Sequence, residues 1–375
     1  MKKMTKPQQR LVSLDVLRGA DLFFLVALQP LLWKLCEAYQ SPFSLALKAQ
    51  IDHVAWQGFS VWDIVMPLFL FMSGITIPFA FSRYKKGEPK NVSLWLKIVK
   101  RFFVLWILGC LVQGNLLSFD IYRFRIFSNT LQAIAIGYLV ASLLFLFFKT
   151  KWQIVVASLL LIAYWAVFYC FGDNDFSPIG NIAYRIDNVV LGRFKDGVFW
   201  KNGEWFFSDS YTYTWILSSL NFSATILLGT FAGSLLKTSI SENRKTLLLG
   251  VIGAVLLIIG FVWSSQMPII KRLWTSSMTL FSGGICFLLL AVFYYVIDVR
   301  KIQKPFLWLR IYGMNSIVAY VLFELVNFRS VGTSLFYGLE QFSENLYPFF
   351  IELSQVGCVF GVLFFMYRRN YFVKI

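Results

Sequence analysis

The chain has 375 residues, of which 58% are hydrophobic, 19% are aromatic and only 14% are charged. Soluble globular proteins carry about 25% charged residues, and the mean hydropathy here is +0.65. These values exclude a soluble enzyme, a disordered protein and a small disulfide-built secreted domain. Long apolar runs, in place of short alternating ones, favour an all-α integral membrane protein over an outer-membrane barrel.

Ten apolar stretches are long enough to cross a bilayer, because a hydrocarbon core about 30 Å thick takes about 20 helical residues. An even number of spans puts both termini on the same side. The longest polar segment, 172–214, is predicted to form an ordered cap on the other side, within a single membrane domain covering 1–375. The predicted spans are 14–36, 60–82, 94–114, 129–148, 152–171, 215–236, 246–264, 274–297, 306–326 and 347–367.

The distribution of positive charge sets the orientation. With both termini inside, the inner segments hold 23 Lys and Arg residues and the outer segments hold 11. Cytoplasmic loops are enriched in Lys and Arg, so both termini are predicted to be cytoplasmic. The net charge of +16 is then mainly a topology signal, and no nucleic-acid partner is expected. Five scattered Cys and a single His indicate no disulfide framework and no metal site.

The single histidine lies at the outer end of the second span, where His53 is followed by Trp56, Gly58 and Asp63. An imidazole exchanges protons near neutral pH. It can take a proton from an attacking amine or hydroxyl, or carry an acyl group itself. The alternative is an interfacial histidine packed beside Trp56. Asp63 is an intramembrane acid, which points to function or to a structural ion pair; a break at Gly58 would let it reach His53.

The first span begins with Asp15 and Arg18 on one helix face. An arginine there can hold the anion of a phosphorylated donor. The alternative is a capped helix start with Ser13 as N-cap, and the residues alone favour this second interpretation. Gln29 is an uncharged polar group deep in the same span.

The ninth span begins at 313–316 with Gly-Met-Asn-Ser, which can bind an anion or cap a helix, and it carries the intramembrane acid Glu324. Lys271 and Arg272 form an outer basic pair that runs against the positive-inside trend. The common nucleotide-binding and hydrolase motifs are absent from the sequence. A donor substrate would therefore have to bind between helices.

Taken together, the order and spacing of several short segments resemble the transmembrane acyltransferase family of heparan-α-glucosaminide N-acetyltransferase, as a short bacterial-type member. The matching segments are Arg10-Leu11-x-Ser13-x-Asp15-x-x-Arg18-Gly19, His53-x-x-Trp56-x-Gly58 with Asp63 and the run Pro67 to Gly74, Leu131-Gln132, Gly137-Tyr138, Asp187, Leu191-Gly192, Lys271-x-Leu273-Trp274, Asp298, and Gly313 to Ser316 with Glu324.

The resemblance implies that an acetyl group moves from cytosolic acetyl-CoA, as co-substrate, to the amine of a glucosamine-type sugar across the membrane. His53 corresponds to the active histidine of the family. The resemblance also implies a homodimer as well as contact with membrane lipid. The short loops suggest a prokaryotic cytoplasmic membrane. The predicted sites are catalytic residues His53, Asp63 and Gln29, donor-binding residues Arg18, Asp15, Gln132, Asn315 and Ser316, and acceptor-binding residues Trp56, Asp187, Lys271, Trp274 and Glu324.

Two other functions remain open at this point. One is an amino-sugar transporter related to N-acetylglucosamine uptake, in which Asp63 and Glu324 would couple transport to protons. The other is an envelope acyltransferase that modifies a polysaccharide hydroxyl.

Overall fold

The computed structural model describes residues 11–85, 87–201, 203–208 and 213–373. Arg10, which opens the first segment of the family resemblance, lies outside these ranges. Within them, eight helices are long and apolar enough to cross a membrane, and a bent helix pair makes a ninth if it is counted as one span. The prediction of an all-α membrane protein is confirmed.

The chain forms sixteen α-helices and one β-hairpin within the described residues. They are α1 (Val12–Phe23), α2 (Gln29–Ala38), α3 (Pro42–Gln50), α4 (Val65–Lys85), α5 (Val92–Val112), α6 (Thr130–Phe147), α7 (Thr150–Phe171), α8 (Ile182–Val190), β1 (Val198–Lys201), β2 (Glu204–Phe207), α9 (Ser219–Leu236), α10 (Glu242–Trp263), α11 (Ser276–Tyr294), α12 (Leu307–Met314), α13 (Ser316–Leu325), α14 (Arg329–Leu335), α15 (Glu340–Ser343) and α16 (Tyr347–Arg368).

Two of the ten predicted spans differ from a simple apolar helix. The third is α5, which is long enough to cross a bilayer but carries Lys97, Lys100 and Arg101 in its first half. The ninth is broken, because α12 and α13 meet at Asn315 with a bend of 64°. The sequence predicted a helix start at this point, whereas the structure places the break inside the span.

Helix α4 lies at the centre of the bundle, and 78% of the residues in its most apolar stretch are buried. Its Gly74 packs on the backbone of α9, where an added Cβ would lie 2.0 Å from the Ile226 carbonyl oxygen. Gly313 of α12 approaches α1 in the same way, since a Cβ there would lie 1.7 Å from the Asp15 carbonyl oxygen. Small residues let membrane helices come this close, so α1, α4, α9 and α12 form a tightly packed scaffold.

The first turn of α1 is capped by a distant side chain. The backbone N–H groups of Val12 and Ser13 donate to the two carboxylate oxygens of Asp298, each at 3.2 Å. The prediction of Ser13 as N-cap is therefore wrong, because the helix begins at Val12, two residues before the Leu14 start that a cap at Ser13 requires. The free N–H groups of the first turn bind a carboxylate from the end of the eighth predicted span.

The segments predicted to lie on the outer side are folded. The predicted cap, 172–214, contains α8 and the hairpin of β1 and β2, which pair antiparallel from Val198 with Phe207 to Lys201 with Glu204. Between the first two spans, α3 ends at Gln50 and leaves His53 in a loop. The stretch 328–345 forms the short helices α14 and α15.

Candidate active site

A cavity of about 460 Å³ lies between α1, α4, α5, α6, α12 and α13. Along α4 its lining extends from Val65 to Thr76, which corresponds to about 16 Å of helix. One end carries His53 and Lys271. The other, called here the basic end, carries Arg18 and lies on the side of the bundle where the positively charged loops predict the cytoplasm. The volume is typical of a small-molecule site.

The loop that carries His53 folds back over the start of the second span. The chain is non-helical from 52 to 60, and Gly58 has φ +120°, a backbone conformation that glycine adopts readily. The Gly58 N–H donates to the Ile269 carbonyl oxygen at 2.9 Å. This is the break that would bring His53 to Asp63, and the structure contains it.

His53 and Asp63 form a short hydrogen bond, with Nδ1 2.7 Å from Oδ1. The other oxygen of the Asp63 carboxylate accepts from Ser60 N–H at 3.1 Å and from Ser60 Oγ at 3.0 Å. Asp63 is fully buried, whereas the His53 side chain is 35% exposed. A carboxylate can only accept from Nδ1–H, so this pairing assigns the proton to Nδ1 and leaves a lone pair on Nε2.

Lys271 completes this cluster from the loop before α11. Its Nζ lies 3.3 Å from Asp63 Oδ1, 3.1 Å from His53 Nδ1 and 3.5 Å from His53 Nε2. The side chain is only 7% exposed. The sequence assigned Lys271 to the acceptor, and the structure brings it against the predicted catalytic pair.

Buried hydrogen bonds hold the Lys271 loop in place. Asn221 Nδ2 donates to the Trp274 carbonyl oxygen at 2.7 Å, and Ser218 Oγ donates to the Leu273 carbonyl oxygen at 2.8 Å. Both donors come from the start of the sixth predicted span. The ammonium group is therefore held by a rigid loop, which fixes its distance to the imidazole.

Burial and neighbouring charge set the protonation of this cluster. Burial lowers the pKa of His53 below its usual value, the hydrogen bond to Asp63 opposes this, and the positive charge of Lys271 adds to it. Burial lowers the pKa of Lys271 to about 8, against the attraction of Asp63. Near neutral pH the imidazole is thus mainly neutral and the ammonium mainly charged.

Two guanidinium groups line the same cavity toward its basic end. Arg18 makes a 4.0 Å ion pair with Asp15. Arg101 reaches the cavity from α5, donates to Ser73 Oγ at 3.4 Å and stacks over the Tyr138 ring at 4.1 Å. Charged groups at membrane depth usually serve a ligand or a partner. Arg101 could not be singled out from the sequence, because it is one of seven positive residues at 83–101 that the predicted topology already explains.

The C-terminal tail closes over the basic end. Asn315 Nδ2 donates to the Tyr371 carbonyl oxygen, and the Val373 N–H donates to Asn315 Oδ1, both at 3.0 Å. Phe372 and Val373 then line the cavity, as does Ser316. The amide of Asn315, predicted to contact the donor, binds the chain's own tail, whereas Ser316 faces the cavity.

Several other predicted site residues serve the scaffold. Gln132 is buried and ties the loop before α6 to the helix, accepting from Ser128 N–H at 2.8 Å and donating to the Ile126 carbonyl oxygen at 2.7 Å. Trp56 Nε1 donates to the Phe176 carbonyl oxygen at 2.7 Å. Gln29 is half-buried and is not among the residues that line the cavity.

The remaining predictions concern the acceptor end. Asp187 is buried and accepts from the backbone N–H of Trp215 at 2.7 Å, which positions the indole in the cavity wall. Trp274 is buried and donates to Thr225 Oγ1 at 3.1 Å. Glu324 lines the cavity directly. The aromatic lining residues Trp62, Tyr213, Trp215 and Tyr320 were missed, because 19% aromatic content gives them no distinguishing signal.

Parts of the chain are similar to known proteins. Residues 10–190 match the family model described as heparan-α-glucosaminide N-acetyltransferase, catalytic. The heparan-α-glucosaminide N-acetyltransferase of Mus musculus is 25% identical, over 73% of this chain and 49% of its own length. The protein of that name from Homo sapiens is 24% identical, over 86% of this chain and 55% of its own length. The chain spans about half the length of these relatives.

The matched segment holds His53, Asp63, Arg18 and Arg101, so the imidazole–carboxylate pair and both guanidinium groups lie within it. Lys271 and the bent helix pair lie beyond it. Through residues 10–190, this multi-pass membrane chain is similar to the family whose model is described as heparan-α-glucosaminide N-acetyltransferase, catalytic.

Proposed function

We propose that this chain transfers an acetyl group from cytosolic acetyl-CoA to the amine of a glucosamine-type sugar on the other side of a prokaryotic cytoplasmic membrane. One observation carries the proposal. An elongated cavity has the imidazole–carboxylate pair of His53 and Asp63 at one end and guanidinium groups toward the other. The names of the two relatives support the same chemistry.

The basic end suits the donor. Acetyl-CoA carries phosphate groups at one end and a thioester at the end of a long flexible arm. Arg18 and Arg101 can bind phosphate oxygens, which guanidinium groups recognise well. The cavity between them and His53 is lined by apolar side chains such as Met66, Phe69 and Leu105, which suits the thin arm.

The His53 end suits the transfer step. The Nε2 lone pair takes a proton from the acceptor amine while the nitrogen forms a bond to the thioester carbonyl carbon. When the tetrahedral intermediate collapses, the C–S bond breaks and the proton passes from Nε2 to sulfur, so CoA leaves as the thiol. Asp63 holds the imidazole in the required tautomer and stabilises the imidazolium that forms in between.

The walls at this end suit a sugar. Trp62, Tyr213 and Trp215 present aromatic faces to the cavity, and Glu324 presents a carboxylate. An aromatic face can pack against the C–H face of a pyranose, and a carboxylate can accept hydrogen bonds from an amine or hydroxyl groups. An amine as the attacking group matches the N-acetyltransferase names of the relatives, and a hydroxyl acceptor is the alternative.

A transporter is the second candidate, favoured by the broken span. Helices α12 and α13 meet at 64° beside the cavity, and interrupted helices are typical of transporter binding sites.

The decisive experiment uses the purified chain in lipid nanodiscs with acetyl-CoA labelled in the acetyl group. We expect label to appear in N-acetylglucosamine when glucosamine is the acceptor, and not in an ester when glucose replaces it. Labelled product only from hydroxyl acceptors would favour the O-acyltransferase. Sugar counterflow in sealed vesicles without any labelled product would contradict the proposal and favour the transporter.

Arg101→Gln is expected to weaken CoA binding about 10-fold, since a charged hydrogen bond contributes about 1.5–3 kcal/mol and about 1.4 kcal/mol is tenfold in affinity. Isothermal titration with CoA measures this directly. Lys97→Gln is the matched control, because Lys97 is an exposed cation on the same helix that does not line the cavity. Equal affinities for the two variants would contradict an anion site at Arg101.

A further inference from the structure

We propose that Lys271 is a catalytic residue that stabilises the oxyanion formed on the thioester carbonyl during transfer. The inference rests on the proposed function and assigns a specific role within it. Lys271 lies outside the segment that matches the family model, and its position beside the imidazole supports this role.

Lys271 Nζ lies close to His53 Nε2, the nitrogen that takes the proton from the acceptor. A carbonyl that reacts with an acceptor deprotonated by Nε2 must lie beside that nitrogen, and Lys271 Nζ is 3.5 Å from Nε2. Lys271 also lines the cavity. Negative charge that develops on the carbonyl oxygen would therefore form close to a fixed ammonium group.

The ammonium group has a donor available for this oxygen. It carries three N–H donors, and among the contacts of the described residues the Asp63 carboxylate takes one at 3.3 Å. The distance to Nε2 is longer than an ordinary hydrogen bond, so the lone pair of the base stays free for the acceptor. The same lysine can thus serve the oxyanion without blocking His53.

The surrounding charges keep this ammonium group in place. Besides Asp63 and His53, the groups that act on it are Asp21, a buried carboxylate of α1, and its neighbour Arg272. Asp63 and Asp21 attract it, whereas Arg272 repels it. Inside a protein such a preoriented charge acts more strongly on a developing anion than it would in water.

The reaction balances without any proton transfer to or from Lys271. As the C–N bond forms, the carbonyl π pair moves onto oxygen, and this oxyanion is the species that the ammonium group contacts. When the oxygen reforms the C=O bond, the C–S bond breaks and sulfur receives the proton from His53. Lys271 keeps all its protons throughout, so its role requires the charged form.

This requirement gives a pH signature that a purely structural lysine would not. Transfer should rise with pH as His53 loses its proton and fall as Lys271 loses its own, near pH 8. The charged lysine also disfavours a second positive charge on the imidazole. Replacing it by a neutral residue should therefore raise the pH at which His53 titrates.

The test compares Lys271→Met and Lys271→Arg with the parent chain. For Lys271→Met we expect kcat to fall about 10²-fold and CoA affinity to stay unchanged. In its pH–rate profile, the alkaline limb should vanish and the acidic limb should move to higher pH. Lys271→Arg should keep more activity, and its alkaline limb should also vanish, because a guanidinium group stays protonated above pH 12.

Lys245→Met is the matched control, since the Lys245 side chain on α10 is 7% exposed, as is that of Lys271, and does not line the cavity. Its kcat and pH profile should remain those of the parent. If the parent transfers no acetyl group, the proposed function fails and this role fails with it. If the parent is active and Lys271→Met keeps parental kcat, or if an alkaline limb near pH 8 persists in both variants, the role of Lys271 alone is overturned.

Discussion

Replacing His53 by Ala is expected to lower the rate of acetyl transfer by at least about 10³-fold, because general acid–base catalysis contributes about 10²–10⁴-fold. CoA affinity should stay at the parental value, since the guanidinium groups proposed to bind the phosphates are unchanged. Steady-state assays with labelled acetyl-CoA give the rate, and titration calorimetry with CoA gives the affinity.

Gln57→Ala is the control for this variant, as Gln57 is an exposed residue of the same loop and should leave the rate unchanged. A His53→Ala protein that folds, binds CoA and still transfers acetyl groups at the parental rate would remove the imidazole from the mechanism. The size of the loss also tests whether the cavity alone supports residual transfer.

The chain contains one histidine, so the protonation of His53 can be followed by NMR without assignment in a protein lacking a polyhistidine tag. Because burial lowers the pKa of His53, the imidazole should titrate below pH 6.5, its usual value. The acidic limb of the pH–rate profile should follow the titration curve of the imidazole, with activity rising as pH increases through the His53 pKa.

Asp63→Asn is expected to lower the rate about 10³-fold with the backbone unchanged. An amide in place of the carboxylate can present its NH₂ to Nδ1, which would move the imidazole proton to Nε2 and remove the lone pair needed there. Without the carboxylate, the His53 pKa should also fall further, because Asp63 favours the charged imidazole. Transfer assays and the NMR titration measure the two effects.

This substitution leaves the buried Lys271 without its carboxylate, and breaking a buried pair is destabilising. The double variant Asp63→Asn with Lys271→Met restores charge balance, so we expect thermal stability to recover while transfer stays low. Asp173→Asn, at an exposed acid of the cap, should behave as the parent. Parental activity in Asp63→Asn would show that the carboxylate only stabilises the fold.

Much of this architecture follows from local sequence, because the bilayer imposes it. A span must be about 20 apolar residues long, so its position is visible without knowledge of packing. His53 and Asp63 could be paired from sequence because they are ten residues apart with Gly58 between them. Ser13 was a plausible cap by the same local rules, and a carboxylate from 285 residues away took its place.

Long-range geometry is what the sequence could not provide. Lys271 and His53 are 218 residues apart, and no local pattern connects them. Arg101 lies among positive residues that the predicted topology already explains. Its contact with the Tyr138 ring on another helix distinguishes it from these neighbours. Asp187 was singled out as an acceptor contact, whereas its carboxylate supports the backbone of Trp215, 28 residues away.

The tail held by Asn315 has a practical consequence for anyone who purifies this chain. A fusion partner joined to this tail would follow Phe372 and Val373, which line the basic end of the cavity. Detergent-solubilised protein carrying such a partner is expected to bind CoA more slowly than an untagged version. The exposed hairpin turn at Gly203 is a better attachment point, because insertions at loop tips disturb the rest of the fold least.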